Sequence, residues 1–330
     1  MPRVSNLITL LQFLQKHLGL AIPVMLVLGF MFGIAVDADP LRILIIPLTF
    51  LMVYPMMVTL KIKQLASGLG GRTQWLTQAI NFGLIPFLAF ALGLLFFRDA
   101  PFLALGLLLA GLVPTSGMTI SWTGMSGGNV PAAIKMTVIG LILGALATPL
   151  YVDWLLGAAL DVDFMLVLRQ ILLVVFLPML AGFSTQRWLV RRHGQEGFQK
   201  RLAPRFPPLS SLGVLGIVFV AMALNARVVW SEPALLLYIV PPLLVLYTVN
   251  FTLSTLIGRR WLPRGDGIAL VYGTVMRNLS IAMAVAMNAF GPEGSQAALV
   301  LAVAYIIQVQ AAAWYARYSE AIFGPAPRSD

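Results

Sequence analysis

The chain contains no cysteine. That excludes a disulfide framework, a thiolate metal centre and soft coordination through a thiol. Histidine is almost as scarce: only His17 and His193 occur, each directly after a basic residue outside the apolar runs. Charge is also sparse. Asp, Glu, Lys and Arg together make up 10% of the 330 residues, against roughly 25% in a soluble chain. The twelve carboxylates are Asp37, Asp39, Asp99, Asp153, Asp161, Asp163, Glu196, Glu232, Asp266, Glu293, Glu320 and Asp330, and all lie in connections, at run ends or in the tail. With no acid and no imidazole inside an apolar run, the usual carboxylate or histidine proton relay is disfavoured. An intramembrane hydrolase or metalloenzyme would lack both its ligands and its general base. Neither a bound metal, nor a cofactor, nor enzymatic activity is expected.

What is abundant is apolar surface. Hydrophobic residues reach 59% and the mean hydropathy is +0.91, the composition of a polytopic membrane protein. No small-residue cleavage site follows a short apolar core near the N-terminus, so the first apolar run is read as a retained span rather than a signal peptide. Runs of about 20 apolar residues predict ten spans, near 18–36, 41–60, 74–97, 102–125, 131–152, 166–186, 209–226, 234–257, 268–289 and 295–316. The net charge of +10 is distributed along the chain in a way that fits a membrane and not nucleic acid. Arg3, Lys16, Lys61, Lys63, Arg72, Arg187, Arg191, Arg192, Lys200, Arg201, Arg205, Arg259, Arg260, Arg264, Arg317 and Arg328 fall in alternate connections and the tails. The intervening connections hold only Arg42, Arg98, Arg169 and Arg227, with several aspartates. By the positive-inside rule, both termini are cytoplasmic, and the expected location is the cell (inner) membrane.

Ten spans divide into two sets of five, and an odd set size inverts the second set relative to the first. The expected organisation is a first repeat over 18–152, extended to 1–186 when the sixth span is counted with it. A basic cytoplasmic loop at 187–208 follows, and then 209–330, which completes a second repeat spanning 166–316. Pro23-Val24-Met25-Leu26-Val27-Leu28-Gly29-Phe30 echoes Pro178-Met179-Leu180-Ala181-Gly182-Phe183 at corresponding positions. The fourth span of each half is interrupted. In the first half Pro114-Thr115-Ser116-Gly117 stands in mid-run, and in the second Gly273-Thr274-Val275-Met276-Arg277-Asn278-Leu279-Ser280 does. Backbone broken at membrane depth is tolerated only against protein or a water-filled cavity, and paired broken spans mark the binding site of inverted-repeat transporters.

Two cations lie inside spans. Lys135 is about one turn from a span end, where it can snorkel to the interface. Arg277 is some ten residues deep, where a charge costs at least about 2.5–3.5 kcal/mol, and no acid is there to pair it. Its partners must be carbonyls, amides or a bound anion. Around it the candidate substrate-binding residues are Asn81, Thr115, Ser116, Thr119, Lys135, Thr137, Arg277, Asn278 and Ser280. Thr248, Asn250, Thr252, Ser254 and Thr255 form another polar stripe on the eighth span, read as helix-to-helix hydrogen bonding.

Three places carry a family resemblance. They are Asn81-Phe82-Gly83-Leu84-Ile85-Pro86, the stretch from Pro114 through Gly128-Asn129-Val130, and Met276-Arg277-Asn278. The chain resembles the bile acid:sodium symporter superfamily, which includes the arsenite efflux permeases. The resemblance implies ten helices in a panel and a core domain, with the fourth and ninth unwound where they cross. It also exposes departures. The Ser-Asn that serves sodium in the fourth helix of coupled members reads Thr119-Ile120 here. A fifth-helix serine reads Ala133, although Thr137 is kept. The ninth-helix glutamate shared by both sodium sites aligns with Gly273, and a glutamine aligns with Arg277. A guanidinium 4 Å from Na⁺ would cost roughly 4 kcal/mol at an effective dielectric of about 20. Against the arsenite permeases, Pro114, Met118, Trp122 and Asn278 match, but their cysteine reads Thr115 and their ninth-helix acid reads Ser280.

The expected function is secondary-active or facilitative transport of small organic anions by alternating access, independent of sodium, with Arg277 as a fixed positive charge in place of the ion. Movement is then either facilitative or coupled through Lys135. The alternatives are metalloid (arsenite) efflux and sodium-coupled symport of bile-acid-like anions. A ligand sensor on the same fold is disfavoured, because these residues include no soluble output domain. The partners implied are a small, anionic substrate and the lipid bilayer, with no nucleic acid and no obligate protein partner.

Overall fold

The computed structural model describes residues 17–60, 71–160 and 164–325. The N-terminal segment read as uncleaved, together with Arg3, Lys16, Lys61, Lys63, Asp161, Asp163, Arg328 and Asp330, lies outside the described residues. Every regular element among the described residues is a helix, as expected where apolar runs must satisfy their own backbone in lipid.

The α-helices are α1 (Leu18–Ala35), α2 (Ile45–Val58), α3 (Arg72–Gly83), α4 (Ile85–Phe96), α5 (Pro101–Leu112), α6 (Gly117–Met125), α7 (Val130–Leu160), α8 (Phe164–Ile171), α9 (Leu177–Gly197), α10 (Phe206–Ser231), α11 (Ala234–Trp261), α12 (Arg264–Val275), α13 (Leu279–Ala289) and α14 (Gly294–Phe323). Seven helical runs among the described residues are long and apolar enough to cross a membrane: 18–35, 39–58, 72–96, 130–157, 167–231, 234–261 and 291–323. The protein is thus an all-helical, integral membrane protein. The connection expected as a basic loop at 187–208 is itself largely helical, interrupted at Gly194 with φ of +72°. Its Arg, Gln and Lys residues are good helix formers.

The chain divides into two compact units. One comprises Met1–Leu60, Asp163–Tyr238 and Ser280–Ile306, and the other Lys61–Val162, Ile239–Leu279 and Ile307–Asp330. In the first unit the packing depends on missing side chains. Gly29 and Gly33 lie one turn apart on α1 and sit against the α10 backbone. A Cβ on Gly29 would lie 2.5 Å from the Phe219 carbonyl oxygen, and one on Gly33 would overlap that of Ala223. Gly213 meets Met52 in the same way. Without a hydrophobic drive between helices in lipid, such close approach supplies the van der Waals contact that holds them. Gly33→Val is expected to destabilise the unit by about 2–3 kcal/mol, read as a lowered melting temperature in detergent. Gly197→Ala, where a Cβ meets only His193 Cβ at 3.5 Å, should leave the melting temperature unchanged.

In the second unit, α3 and α4 form one bent span. Pro86 has no N–H to give the Phe82 carbonyl, and the Tyr151 hydroxyl of α7 donates to that carbonyl instead. The stripe on α11 does bond helix to helix: Asn250 donates to the Thr274 carbonyl, Ser254 pairs with the Thr274 hydroxyl, and Thr255 pairs with Tyr315. Ile268, Tyr272, Met276 and Ala312 form a buried core against which Met118, Trp122, Tyr315 and Phe323 pack. This core braces α6 and α12, which flank the two breaks, against the end of α14.

Candidate functional site

The site is built from backbone that stopped being helix. α5 ends at Leu112, and α6 begins only at Gly117. Pro114 cannot donate a hydrogen bond, and Thr115 has φ of +61°, the only left-handed non-glycine conformation among the described residues. A β-branched residue there is strained, and α7 is shaped to hold it. Gly140 and Gly144 leave room for the passing segment: a Cβ on the first would lie 2.6 Å from Thr115 Oγ1, and one on the second 2.7 Å from Pro114 Cδ. Ser116 then caps α6. Its Oγ accepts from the Met118 N–H at 3.2 Å, and Thr119 Oγ1 accepts from the Ser116 N–H at 3.1 Å.

The second break runs from Met276 to Asn278, and most of the backbone groups it frees find new partners. In an unbroken helix the Arg277 N–H would bond the Gly273 carbonyl and the Asn278 N–H that of Thr274. Instead the Gly273 carbonyl accepts from Asn81 Nδ2 at 3.0 Å, and the Thr274 carbonyl from Asn250 Nδ2 at 2.8 Å. The Asn278 N–H donates to the Val113 carbonyl at 2.9 Å. The Arg277 N–H donates to Gln308 Oε1 at 2.8 Å, and Gln308 Nε2 donates back to the Arg277 carbonyl at 3.2 Å. Thr119 Oγ1 reaches the Met276 carbonyl at 3.5 Å. The two breaks therefore meet, Pro114 and Arg277 forming an isolated antiparallel bridge.

At this meeting point the Arg277 side chain is only 3% exposed. Nη1 donates to Asn81 Oδ1 at 2.9 Å, while Nη2 is buried with no partner. The ion pairs among the described residues are Arg42–Asp39 and Lys200–Glu196, and neither involves it. A buried guanidinium with an idle nitrogen and no counter-charge is a ready anion contact. Close by, a Cβ on Gly117 at the start of α6 would meet nothing within 4 Å, so the N-terminus of that half-helix faces open space.

Asn81, Thr115, Ser116, Thr119, Thr137, Arg277 and Asn278 are brought together here. Several of their hydroxyls are already engaged. Thr115 Oγ1 donates to the Pro114 carbonyl at 2.7 Å, and Thr137 Oγ1 to that of Ala133 at 2.8 Å. Ser116 and Thr119 cap the half-helix. Lys135 lies half-buried near the start of α7. Ser280 is buried in the first unit, its Oγ 3.4 Å from the Tyr305 hydroxyl. Sequence reasoning missed Gln308, which clamps the second break, and Gln74 and Gln78 on α3. It also left Asn129 and Asp266 without a role. Asn129 caps α7 through the Ala132 N–H and donates to Asp266, which also accepts from Thr73.

Comparison with known proteins gives a consistent result. The profile described as the sodium bile acid symporter family matches residues 46–232, more than half of the chain. An uncharacterised transporter of Synechocystis sp. is 25% identical over 91% of this chain and 86% of its own length. The arsenical-resistance protein Acr3 of Alkaliphilus metalliredigens is 24% identical over 90% of this chain and 89% of its own. Sodium/bile acid cotransporter 7-A of Xenopus laevis is 29% identical over 46% of this chain and 47% of its own.

Proposed function

This chain belongs to the sodium bile acid symporter family, and from that membership we propose a sodium-independent transporter of small organic anions that works by alternating access. One observation carries the proposal. Arg277 is a buried cation at the meeting of two broken helices, with Nη2 unpartnered and no acid paired with it among the described residues. A carboxylate is the partner its planar donors fit best. The exposed start of α6 adds the partial positive charge of a half-helix N-terminus. Asn81, Thr115, Ser116, Thr119, Lys135, Thr137 and Asn278, all of the second unit, complete the proposed substrate-binding set, the capping hydroxyls acting by shaping the break.

The absence of sodium coupling is supported at Gly273, which stands where the coupled members resembled above have a glutamate. A Cβ there would already lie 2.6 Å from Met136 Sδ and 3.3 Å from Thr77 Cγ2. A thioether and a methyl group fill the place of a carboxylate, and a guanidinium follows one turn later. Ten crossings are proposed by dividing the 167–231 run at Gly194 and counting α5–α6 and α12–α13 as one broken span each. The repeats are then 18–152 and 166–316, divided as 1–186, 187–208 and 209–330. They are inverted, with both termini cytoplasmic in the cell membrane.

The test uses purified protein and thermal shifts against a panel of organic acids plus arsenite, each in sodium and in choline salt at equal ionic strength. A ligand at 100 times its Kd adds about 2.7 kcal/mol. At least one carboxylate is expected to raise the melting temperature equally in both salts. A response confined to sodium overturns the sodium-independent reading. A response to arsenite alone moves the function to the metalloid side, where the Acr3 relatives are named.

A further inference from the structure

The helix that supplies Asn81 carries a second set of buried polar atoms that the anion reading leaves unused. Gln74 and Gln78 are one turn apart on the same face of α3, and Asn81 follows three residues after Gln78. Gln74 Nε2 donates to the Ala132 carbonyl at 3.1 Å, but its Oε1 has no partner. On Gln78 both Oε1 and Nε2 are buried without a partner. An unsatisfied buried donor or acceptor is costly, and native structures keep few. Here three such atoms line one stripe, and that stripe leads to Asn81, whose Oδ1 holds Arg277 Nη1. Gln78 therefore stands one helical turn before the asparagine that holds the guanidinium, on the same side of α3.

The two idle groups ask for different chemistry. Nη2 carries two N–H donors on a cation and fits a single carboxylate. A carboxamide offers a donor nitrogen and an acceptor oxygen and carries no charge, so it matches a hydroxyl or an amide. We infer that Gln78 is the specificity residue of the anion site, binding a neutral hydroxyl or amide group on a small monocarboxylate whose carboxylate is held at Arg277. This rests on the anion-transport reading above. Gln74, one turn before Gln78 on the same face, keeps its Nε2 on the Ala132 carbonyl and leaves its Oε1 unpartnered. A site with idle hydrogen-bonding groups discriminates strongly against an analogue that lacks the matching group.

The experiment measures binding of butyrate, 3-hydroxybutyrate and 4-hydroxybutyrate to the purified full chain by thermal shift titration. In the wild type one of the hydroxy acids is expected to bind at least about tenfold more tightly than butyrate. Gln78→Met, which keeps the size and removes the amide, should bind all three equally. It should also melt higher than the wild type without ligand, because two buried unsatisfied groups are gone. A merely structural glutamine would melt lower instead. Gln78→Asn keeps an amide on a shorter stem and should show a reduced preference, which decides the matter should the methionine variant fail to fold. Butyrate binding with no preference in the wild type, or a preference that survives in both variants, overturns the role of Gln78 and leaves the anion site standing. Failure of all three acids to bind the wild type while another carboxylate of the panel does bind overturns this inference alone, and failure of the whole panel overturns the anion reading with it.

Discussion

Arg277→Gln should abolish anion transport while leaving the fold intact. The guanidinium is buried, meets Asn81 Oδ1 with one nitrogen and nothing with another, and lies where a charge costs at least about 2.5–3.5 kcal/mol. Removing it therefore removes a cost as well as a bond. Glutamine still offers an amide donor toward Asn81, and the Gln308 clamp acts on the backbone of residue 277 and is untouched by the change. The ligand-free melting temperature should stay level or rise. Binding behaves oppositely. A desolvated charge-assisted contact to a carboxylate is worth about 2–5 kcal/mol, so uptake of the carboxylate substrate should fall at least about 30-fold. Arg277→Lys keeps the charge but loses the planar pair of donors, and an intermediate loss of about tenfold is expected. The measurements are uptake into proteoliposomes and thermal shift with and without the carboxylate. Uptake within fivefold of wild type in Arg277→Gln would refute the fixed-charge role. A collapse in melting temperature would recast Arg277 as a structural brace. A neutral metalloid has no charge for Arg277 to hold, so arsenite tolerance unaffected by the substitution would separate that function from this one.

The breaks were legible because proline, glycine and hydroxyl residues interrupt otherwise apolar runs, and membrane-depth backbone has few ways to accommodate them. Arg277 was legible by elimination, since every acid could be placed outside the spans and none remained to pair it. The same logic did not reach Gln74, Gln78 or Gln308. An uncharged amide in an apolar run costs little enough to be passed over as helix packing. Nothing local separates Gln308, which clamps a break, from Gln310 two residues on. The distinction arises only when α14 lies beside the unwound turn. Asn81 was found through its place before Phe82 and Pro86, yet its work is double: it takes the carbonyl that the break frees at Gly273 and the cation that the break presents. Helix lengths were read too short at α7 and α9, because polar ends such as Tyr151–Trp154 and Arg187–His193 continue a helix that hydropathy alone cuts off.

The largest loss of stability should come from Gln308→Leu. Gln308 is 1% exposed, accepts from the Arg277 N–H at 2.8 Å and from the Tyr247 hydroxyl at 3.0 Å, and donates to the Arg277 carbonyl at 3.2 Å. Leucine fills similar volume, so no large cavity is added to the effect. What it leaves is a buried N–H and a buried carbonyl in a stretch that has already given up its helical bonds, plus the lost contact to Tyr247. At about 1–3 kcal/mol for each orphaned group, the expected cost is about 3–5 kcal/mol. That is a large part of the usual margin of a folded domain. Gln308→Glu keeps the acceptor for the Arg277 N–H and for Tyr247 but loses the donor to the carbonyl. It also places a carboxylate beside the second break, the one charge the site lacks. Its stability should fall less than that of the leucine variant, while carboxylate binding should fall as far as in Arg277→Gln, because an internal acid would compete for the guanidinium. Melting temperatures and carboxylate titrations of the two variants check both parts. If Gln308→Leu melts within about 1 kcal/mol of wild type, the unwound turn is held by something other than this glutamine. If Gln308→Glu binds carboxylates as well as wild type, the charge that matters is not the one at Arg277.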